Sequence, residues 1–402
     1  MTGLSQGDLA ERAGVAPQRI RALTDLGILV RRPGQRPFVP ADARKVRLAG
    51  ACEDAGLSLE VIGDAIAAGR LSFGFLDLPT YDVLAEHAPG SFGELAEQRG
   101  LPLDLLLALR EALGFLRPQA DDPVREDDLR VLALVQLGLE AGLDQRVLLQ
   151  LLRVYGENLA RIAEAEGAVY RRYFVEPFRE AGEGTSRSME LASAMAGRLI
   201  PVLEDMTVAI YHRQQERTWL QHLIESIEAV LEEEGLHHGL ERPAAMCFLD
   251  LSGYTRLTEE RGDEAAAQLA ARLGDVVQAS AVEHGGRPVK WLGDGVMSHF
   301  PDPARGVRAA LTMVDRAQTA GLPPAHVGLA AGPIVYQDGD YFGRTVNLAA
   351  RIAARAGPGE VLVNEAVANA SGDEHLAFHA IGAVTLKGFQ QPVALFHAQP
   401  AR

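Results

Sequence analysis

Phe248-Leu249-Asp250-Leu251-Ser252-Gly253-Tyr254-Thr255 reads FLDLSGYT and follows Ala244-Ala245-Met246-Cys247. A short apolar run closed by a glycine turn reads as a buried strand. Asp250 falls inside it, and a carboxylate taken out of water costs free energy unless something pairs with it. The partner has to come from elsewhere in the chain.

Lys290-Trp291-Leu292-Gly293-Asp294-Gly295-Val296-Met297-Ser298-His299-Phe300 supplies a second acidic residue between apolar segments. Residues 289–292 and 296–300 read as the strands of a hairpin whose turn is Gly293-Asp294-Gly295. Residues 263–284 read as an amphipathic helix with Ala, Leu and Val on one face. The order strand, helix, hairpin sets the end of the first strand beside the hairpin tip, so Asp250 and Asp294 approach each other. Two close carboxylates repel unless a cation lies between them. Oxygen ligands with no histidine or cysteine nearby select a hard cation, magnesium or manganese. Magnesium held by one or two carboxylates completes its shell with substrate phosphates. The stretch Ser252-Gly253-Tyr254-Thr255 leads into a helix whose free amides suit a polyphosphate, which makes these four residues candidates for substrate binding. The pattern points to a nucleoside triphosphate.

With Asp340-Tyr341-Phe342-Gly343-Arg344-Thr345-Val346-Asn347-Leu348-Ala349-Ala350-Arg351, these stretches resemble three successive signature blocks of the class III nucleotidyl cyclases, spanning residues 244–397. The resemblance implies an α/β (α+β) domain with a ferredoxin-like βαββαβ core and two divalent ions, Mg2+ or Mn2+, in each active site. It assigns Asp250 and Asp294 as the metal ligands, with one ion activating the ribose 3′-hydroxyl and the other neutralising the triphosphate. It assigns Lys290 and Asp340 to the purine. Adenine offers an acceptor at ring nitrogen 1 and a donor at its amine, which a lysine and an aspartate complement, so ATP is preferred over GTP. Asn347 and Arg351 match the residues that orient the ribose and stabilise the pentavalent phosphorus, and their spacing puts both on one face of a helix. Arginine there can aim forked donors at oxygens whose charge grows in the transition state. Lys387, in Thr385-Leu386-Lys387-Gly388-Phe389, matches a phosphate-contacting lysine. In that family the metal aspartates and the remaining groups come from different subunits, so a chain with both sets implies a homodimer with shared sites. Two departures are Gly295, where many members carry alanine or serine, and Arg344, where many carry asparagine. Trp291 and His299 read as packing residues.

Upstream, Leu9-Ala10-Glu11-Arg12-Ala13-Gly14-Val15 returns as Leu95-Ala96-Glu97-Gln98-Arg99-Gly100-Leu101, and Glu53-Asp54-Ala55-Gly56-Leu57 has its counterpart in Leu139-Glu140-Ala141-Gly142-Leu143, both at an offset of 86 residues. Two copies of one helical module follow from that. In the first, Gly14 and Gly27 end helices, Pro17 starts one, and residues 31–39 suit a small wing. This resembles the winged helix-turn-helix of MerR-type regulators. Two readings stand: DNA binding through the helix at 17–25 with Arg19 and Arg21 outward, or a folded regulatory or dimerisation unit. The second copy favours the latter, because its equivalent helix, from Leu103 to Leu109, is apolar nearly all round.

The expected organisation is multidomain. An all-α N-terminal regulatory region comprises winged-helix-like modules at 1–85 and 86–155, a helical segment at 156–213 and a linker or coiled-coil helix at 214–240. The cyclase domain occupies 241–402. Tyr155, Tyr170, Tyr173 and Phe174 lie at helical spacing and suit either packing or a ligand pocket. Leu220, Leu223, Ile227 and Val230 follow the three-four spacing of a coiled-coil seam, and His237-His238-Gly239 ends it. A chain of 402 residues with net charge −15 is no general binder of nucleic acid or anionic membranes. Cys52 and Cys247 read as reduced apolar fillers, and no apolar stretch reaches the length of a membrane span, so a cytoplasmic protein is expected. The function expected is an adenylate cyclase that forms 3′,5′-cyclic AMP and pyrophosphate from ATP, controlled through its N-terminal region by an unidentified ligand or signal. The alternatives are a guanylate cyclase and a nucleotide-sensing transcription regulator with a cyclase-like domain.

Overall fold

Helix α1 (Gln6–Ala13), α2 (Pro17–Asp25), α3 (Ala41–Asp54) and α4 (Leu59–Ala67) open the chain. After strand β1 (His87–Ser91) come α5 (Phe92–Arg99), α6 (Leu103–Ala112), strand β2 (Pro123–Arg125), α7 (Glu126–Glu140) and α8 (Gln145–Tyr170). The starts of α5, α6 and α8 repeat those of α1, α2 and α4 at the sequence offset, and the local chemistry repeats with them. Ser5 and Ser91 each close a capping box with the third residue of the helix, Asp8 or Glu94, and Gly14 and Gly100 end the same helices with φ of 66° and 63°. Each copy buries its own core, around Leu9, Ile20, Leu23 and Phe38 in the first and Phe92, Leu106, Leu109 and Val135 in the second. In α6 Leu105, Leu106 and Leu109 are buried. The 31–39 segment is a turn closed by the Arg32 N–H on the Pro37 carbonyl, 2.9 Å, with a single bridge between Leu4 and Phe38.

The computed structural model describes residues 3–78, 81, 86–236 and 243–401, so His237, His238 and Gly239 lie outside the described residues. Helix α8 passes through a π-helical turn, Arg171–Val175, into α9 (Glu176–Glu180), and α10 (Thr185–Glu233) follows with Pro201 inside it. Tyr155 and Tyr211 share a hydrogen bond between hydroxyls, 2.7 Å, Tyr170 stacks on Phe174, and Tyr173 is exposed. Leu220, Leu223, Ile227 and Val230 all stand exposed on α10. Among the described residues no helix is long and apolar enough to cross a membrane. Cys247 is fully buried, which pushes its thiol up to about 12, and neither cysteine forms a disulfide.

The chain divides into two units, residues 1–225 and 226–402. The second contains β3 (Ala245–Leu251), α11 (Tyr254–Arg261), α12 (Asp263–Glu283), β4 (Arg287–Leu292), β5 (Gly295–Phe300), α13 (Pro303–Thr319) and β6 (Ala325–Ala331). Then come β7 (Val335–Gln337), β8 (Asp340–Phe342), α14 (Arg344–Ala353), β9 (Val361–Asn364), α15 (Glu365–Ala370), β10 (Leu376–Val384) and β11 (Val393–Pro400). Seven strands form one sheet in the order β10-β11-β9-β6-β3-β5-β4. Within it β6-β3-β5-β4 are neighbours in the fourth-first-third-second order of a βαββαβ unit.

Strand alternation decides which face each residue of β3 serves. Cys247, Leu249 and Leu251 join the core beneath α12 and α13 with Leu273, Val277 and Met313, whereas Met246 and Phe248 belong to the opposite cluster with Val346, Ala349 and Ile352 of α14. Asp250 shares the second face, beyond the end of that cluster. The charge in FLDLSGYT therefore never enters the larger core.

Candidate active site

The side chains expected at the site fall into three groups. The first is Asp250 with Asp294. Antiparallel pairing of β3 and β5 runs to Leu249 opposite Val296, and continuing it by one residue brings Asp250 alongside Gly295, next to Asp294. A Cβ at Gly295 would lie 3.1 Å from the Leu249 carbonyl oxygen and 3.4 Å from Asp250 Oδ1. Glycine there keeps the space between the strand end and the hairpin tip open. Burial and then the charge of Asp294 hold the Asp250 carboxyl above its usual range, with His326 acting in the opposite sense. Among the described residues no group of three or more His, Cys, Asp and Glu side chains is arranged to hold a metal ion. The donor set is thus a pair of carboxylates that repel each other, and it fits a hard divalent cation that takes its other ligands from phosphate and water.

His326, which the sequence reading passed over, sits opposite Asp250 on β6. Its Nε2 is 3.9 Å from Asp250 Oδ2 and its Nδ1 is 3.1 Å from Ser252 Oγ. The sequence shows only a lone histidine, second in the otherwise apolar strand Ala325–Ala331. Gly253, with φ 79°, turns the chain into α11. The Ser252 N–H donates to the Pro324 carbonyl, 2.9 Å, and the Tyr254 hydroxyl to that of Ala266, 3.0 Å. Those two groups are occupied within the fold. Thr255 lies in the first turn of α11.

The second group is Lys290 with Asp340. They come from β4 and β8 and meet in an ion pair at 2.7 Å. Partial burial works to raise the Asp340 carboxyl, but the Lys290 hydrogen bond, the Tyr341 N–H and the Lys290 charge outweigh it and hold the group below its usual range.

The third group lines an open cavity of about 900 Å³: Asn347, Arg351 and Lys387, with Arg344, Gln390 and Gln391. Asn347 and Arg351 stand on the exposed side of α14, whose other side buries Thr345, Val346, Ala349, Ile352 and Ala353. Gly388, with φ 88°, turns the chain just after Lys387. The Arg344 guanidinium lies over the Phe389 ring at 5.5 Å, which adds a third cation to the cavity. Neither Asp250 nor Asp294 belongs to its lining.

Gly328 of β6 fixes how close α14 can lie, since a Cβ there would come within 2.0 Å of the Ala353 nitrogen. Gly328→Ala must displace the helix that carries Asn347 and Arg351. We expect a loss of about 1–3 kcal/mol of stability, as for other overpacked cores, together with a fall in kcat of about 10²-fold. Thermal unfolding and turnover measured on the same preparation test both, and wild-type turnover in this variant would count against the helix as the carrier of the site.

The adenylate cyclase regulatory domain family matches residues 39–215, and the adenylate and guanylate cyclase catalytic domain family matches residues 238–398. An uncharacterized protein of Mycobacterium tuberculosis is 32% identical over 356 residues, 86% of this chain and 87% of the relative. An adenylate cyclase of Streptomyces coelicolor is 30% identical over 318 residues, 76% of this chain and 80% of the relative. A pH-sensitive adenylate cyclase of Mycobacterium tuberculosis is 29% identical over 316 residues, 76% and 77% of the two chains.

Proposed function

The chain belongs to the adenylate cyclases that carry a regulatory domain ahead of the catalytic one, and on that premise we propose how its residues convert ATP to 3′,5′-cyclic AMP and pyrophosphate. The observation that carries the assignment is the convergence of Asn347, Arg351 and Lys387 on one cavity from two separate segments of chain. Arg351 and Lys387 meet the negative charge of the phosphates, and Asn347 orients the ribose. Fixed donors of this kind work where charge grows as the 3′-hydroxyl attacks the α-phosphate. Asp250 and Asp294 would hold Mg2+ or Mn2+, which when bound supplies Lewis-acid polarisation and neutralises the triphosphate. The glycine turn at Gly253 carries the chain past the triphosphate, with Ser252 Oγ and the first amides of α11 at Tyr254 and Thr255 as its contacts.

Lys290 and Asp340 read the purine. They are already paired, so the donor and the acceptor for adenine stand ready side by side. Guanine would set an acceptor oxygen against Asp340 and a ring N–H against Lys290, two mismatched contacts. The purified chain should therefore favour ATP over GTP by about 10²-fold in kcat/KM, short of the roughly 10⁴-fold reached by fully buried polar sites because Lys290 is half exposed. Nucleotide turnover with magnesium and with manganese is the measurement, and a preference for GTP overturns the purine assignment.

The metal aspartates lie outside the cavity lined by the transition-state residues, which supports a homodimer in which one protomer's Asp250 and Asp294 serve its partner's cavity. The exposed row Leu220, Leu223, Ile227 and Val230 supports the same reading as a helix seam between two copies. In the regulatory region we keep a duplicated winged-helix-like module, supported by the repeated caps. The wing is reduced to the turn at 31–39. Arg19 is tied to Glu53, which favours a folded regulatory unit over a DNA reader. Such a unit acts by shifting the balance between productive and unproductive pairings of the catalytic domains when its signal arrives.

A further inference from the structure

Asp340 lies on β8, and β7 with β8 forms a two-stranded sheet apart from the seven-stranded one. No ladder of backbone hydrogen bonds to the main sheet fixes where the Asp340 carboxylate points. The Tyr341 N–H, 2.8 Å from Asp340 Oδ1, and the Lys290 ammonium hold the carboxylate itself, so its place depends on what anchors Tyr341 and the hairpin, and side chains do that.

The neighbouring residue, Tyr341, is 9% exposed and is held by Arg287 and His299. Its hydroxyl accepts from Arg287 Nη2 at 2.9 Å. Its ring lies parallel to that of His299, with centroids 4.7 Å apart. The Arg287 guanidinium also stands 5.7 Å from the Tyr341 ring centre and 5.9 Å from that of Tyr336, so it bridges both strands of the small hairpin. Arg287 is on β4, as is Lys290, the partner of Asp340.

In a regular strand residues 287 and 290 would face opposite ways. Here the register slips between Pro288 and Lys290, so Arg287 pairs with His299 and Lys290 with Met297. His299 and Met297 share a face of β5, and the bulge therefore puts Arg287 and Lys290 on that same face. It falls on an edge strand beside a proline, where bulges are tolerated and can redirect a side chain. One extra residue thus lets a single strand hold the hairpin with Arg287 and meet its carboxylate with Lys290.

We propose that Arg287 and Tyr341 form a clamp that positions Asp340 against Lys290 and thereby sets the purine selectivity of the site. The clamp rests on the assignment of Lys290 and Asp340 to adenine. Arg287 and Tyr341 are positioning residues that act through Asp340. With the clamp loosened, Asp340 can withdraw from the acceptor oxygen of guanine and no longer waits in place for the adenine amine.

The test uses the full chain with ATP and GTP, magnesium present. Arg287→Met should lower the ATP to GTP ratio of kcat/KM about tenfold, chiefly through a higher KM for ATP. Its kcat for ATP should stay within about threefold of wild type, a split that general loss of structure would not give. Tyr341→Phe keeps the ring stack and the buried volume but removes the hydroxyl, so it should move the ratio in the same direction and carries the test alone if Arg287→Met does not fold. Arg287→Lys, which keeps the cation without the fork, should fall between wild type and Arg287→Met. An unchanged ratio in folded Arg287→Met or Tyr341→Phe overturns the clamp. Asp340→Asn separates the two readings. If it leaves the ratio unchanged, the adenine assignment itself fails, and if it collapses the ratio while the clamp variants do not, only the clamp fails.

Discussion

Asp250→Asn should lose cyclic AMP formation by about 10³-fold, equivalent to about 4 kcal/mol of transition-state stabilisation, while its metal-free fold becomes as stable as the wild type or more so. The two effects have one cause. Burial and the neighbouring Asp294 charge hold the Asp250 carboxyl above its usual range, so the charged form is disfavoured until a cation arrives. A group whose folded value is raised binds its proton more readily folded than unfolded. Its ionisation costs nothing below the unfolded value and costs stability increasingly as pH rises through the folded one. In chelator, then, the wild type should lose stability across that window and Asp250→Asn should lose less. A purely structural aspartate would give the reverse, a lower Tm in the variant. Turnover in the variant above about a tenth of wild type would remove Asp250 from the metal site, since loss of a metal ligand costs far more than that.

What was legible follows from how local each feature is. The approach of Asp250 to Asp294 needed only the order of strand, helix and hairpin, and β3, α12, β4 and β5 are that order. The buried face of α14 was equally open, because Val346, Ala349 and Ile352 carry the helical period and leave Asn347 and Arg351 outside. Arg287 was hidden for a physical reason. Alternation in Arg287-Pro288-Val289-Lys290 sends it away from Lys290, and only the bulge returns it. His326 was hidden because its place beside Asp250 depends on the register between β3 and β6, which no local pattern encodes. The Lys290–Asp340 pair joins residues on two hairpins, and similarity to known blocks, not periodicity, suggested it. In the N-terminal half the repeat was readable at once, whereas α10 runs unbroken from Thr185 to Glu233 past Pro201 and past residue 214, where the change to a charged run suggested a boundary.

Two inactive chains should restore activity when mixed. Arg351→Ala removes the donors proposed for the transition state and should lower kcat by about 10²–10³-fold, and Asp250→Asn should be inactive for the different reason above. If the sites are shared across a two-fold axis, a mixed dimer has one site with both defects and one with neither. Random pairing makes half of the dimers mixed, so an equal mixture should regain about a quarter of wild-type activity. Asp340→Asn mixed with Arg351→Ala should gain nothing over the mean of the two chains alone, because Asp340 and Arg351 are expected to act from one protomer and every site then carries a defect. The contrast between the mixtures is more informative than either alone, since it depends on which residues travel together. Lys290 and Asp340 are in contact within one chain, and Asn347, Arg351 and Lys387 line one cavity of that same unit, from which Asp250 and Asp294 are absent. An Asp250→Asn and Arg351→Ala mixture that exchanges subunits yet stays inactive would place both sets in a single-chain site, and dimerisation would then have to act on catalysis by some route other than completing the active site.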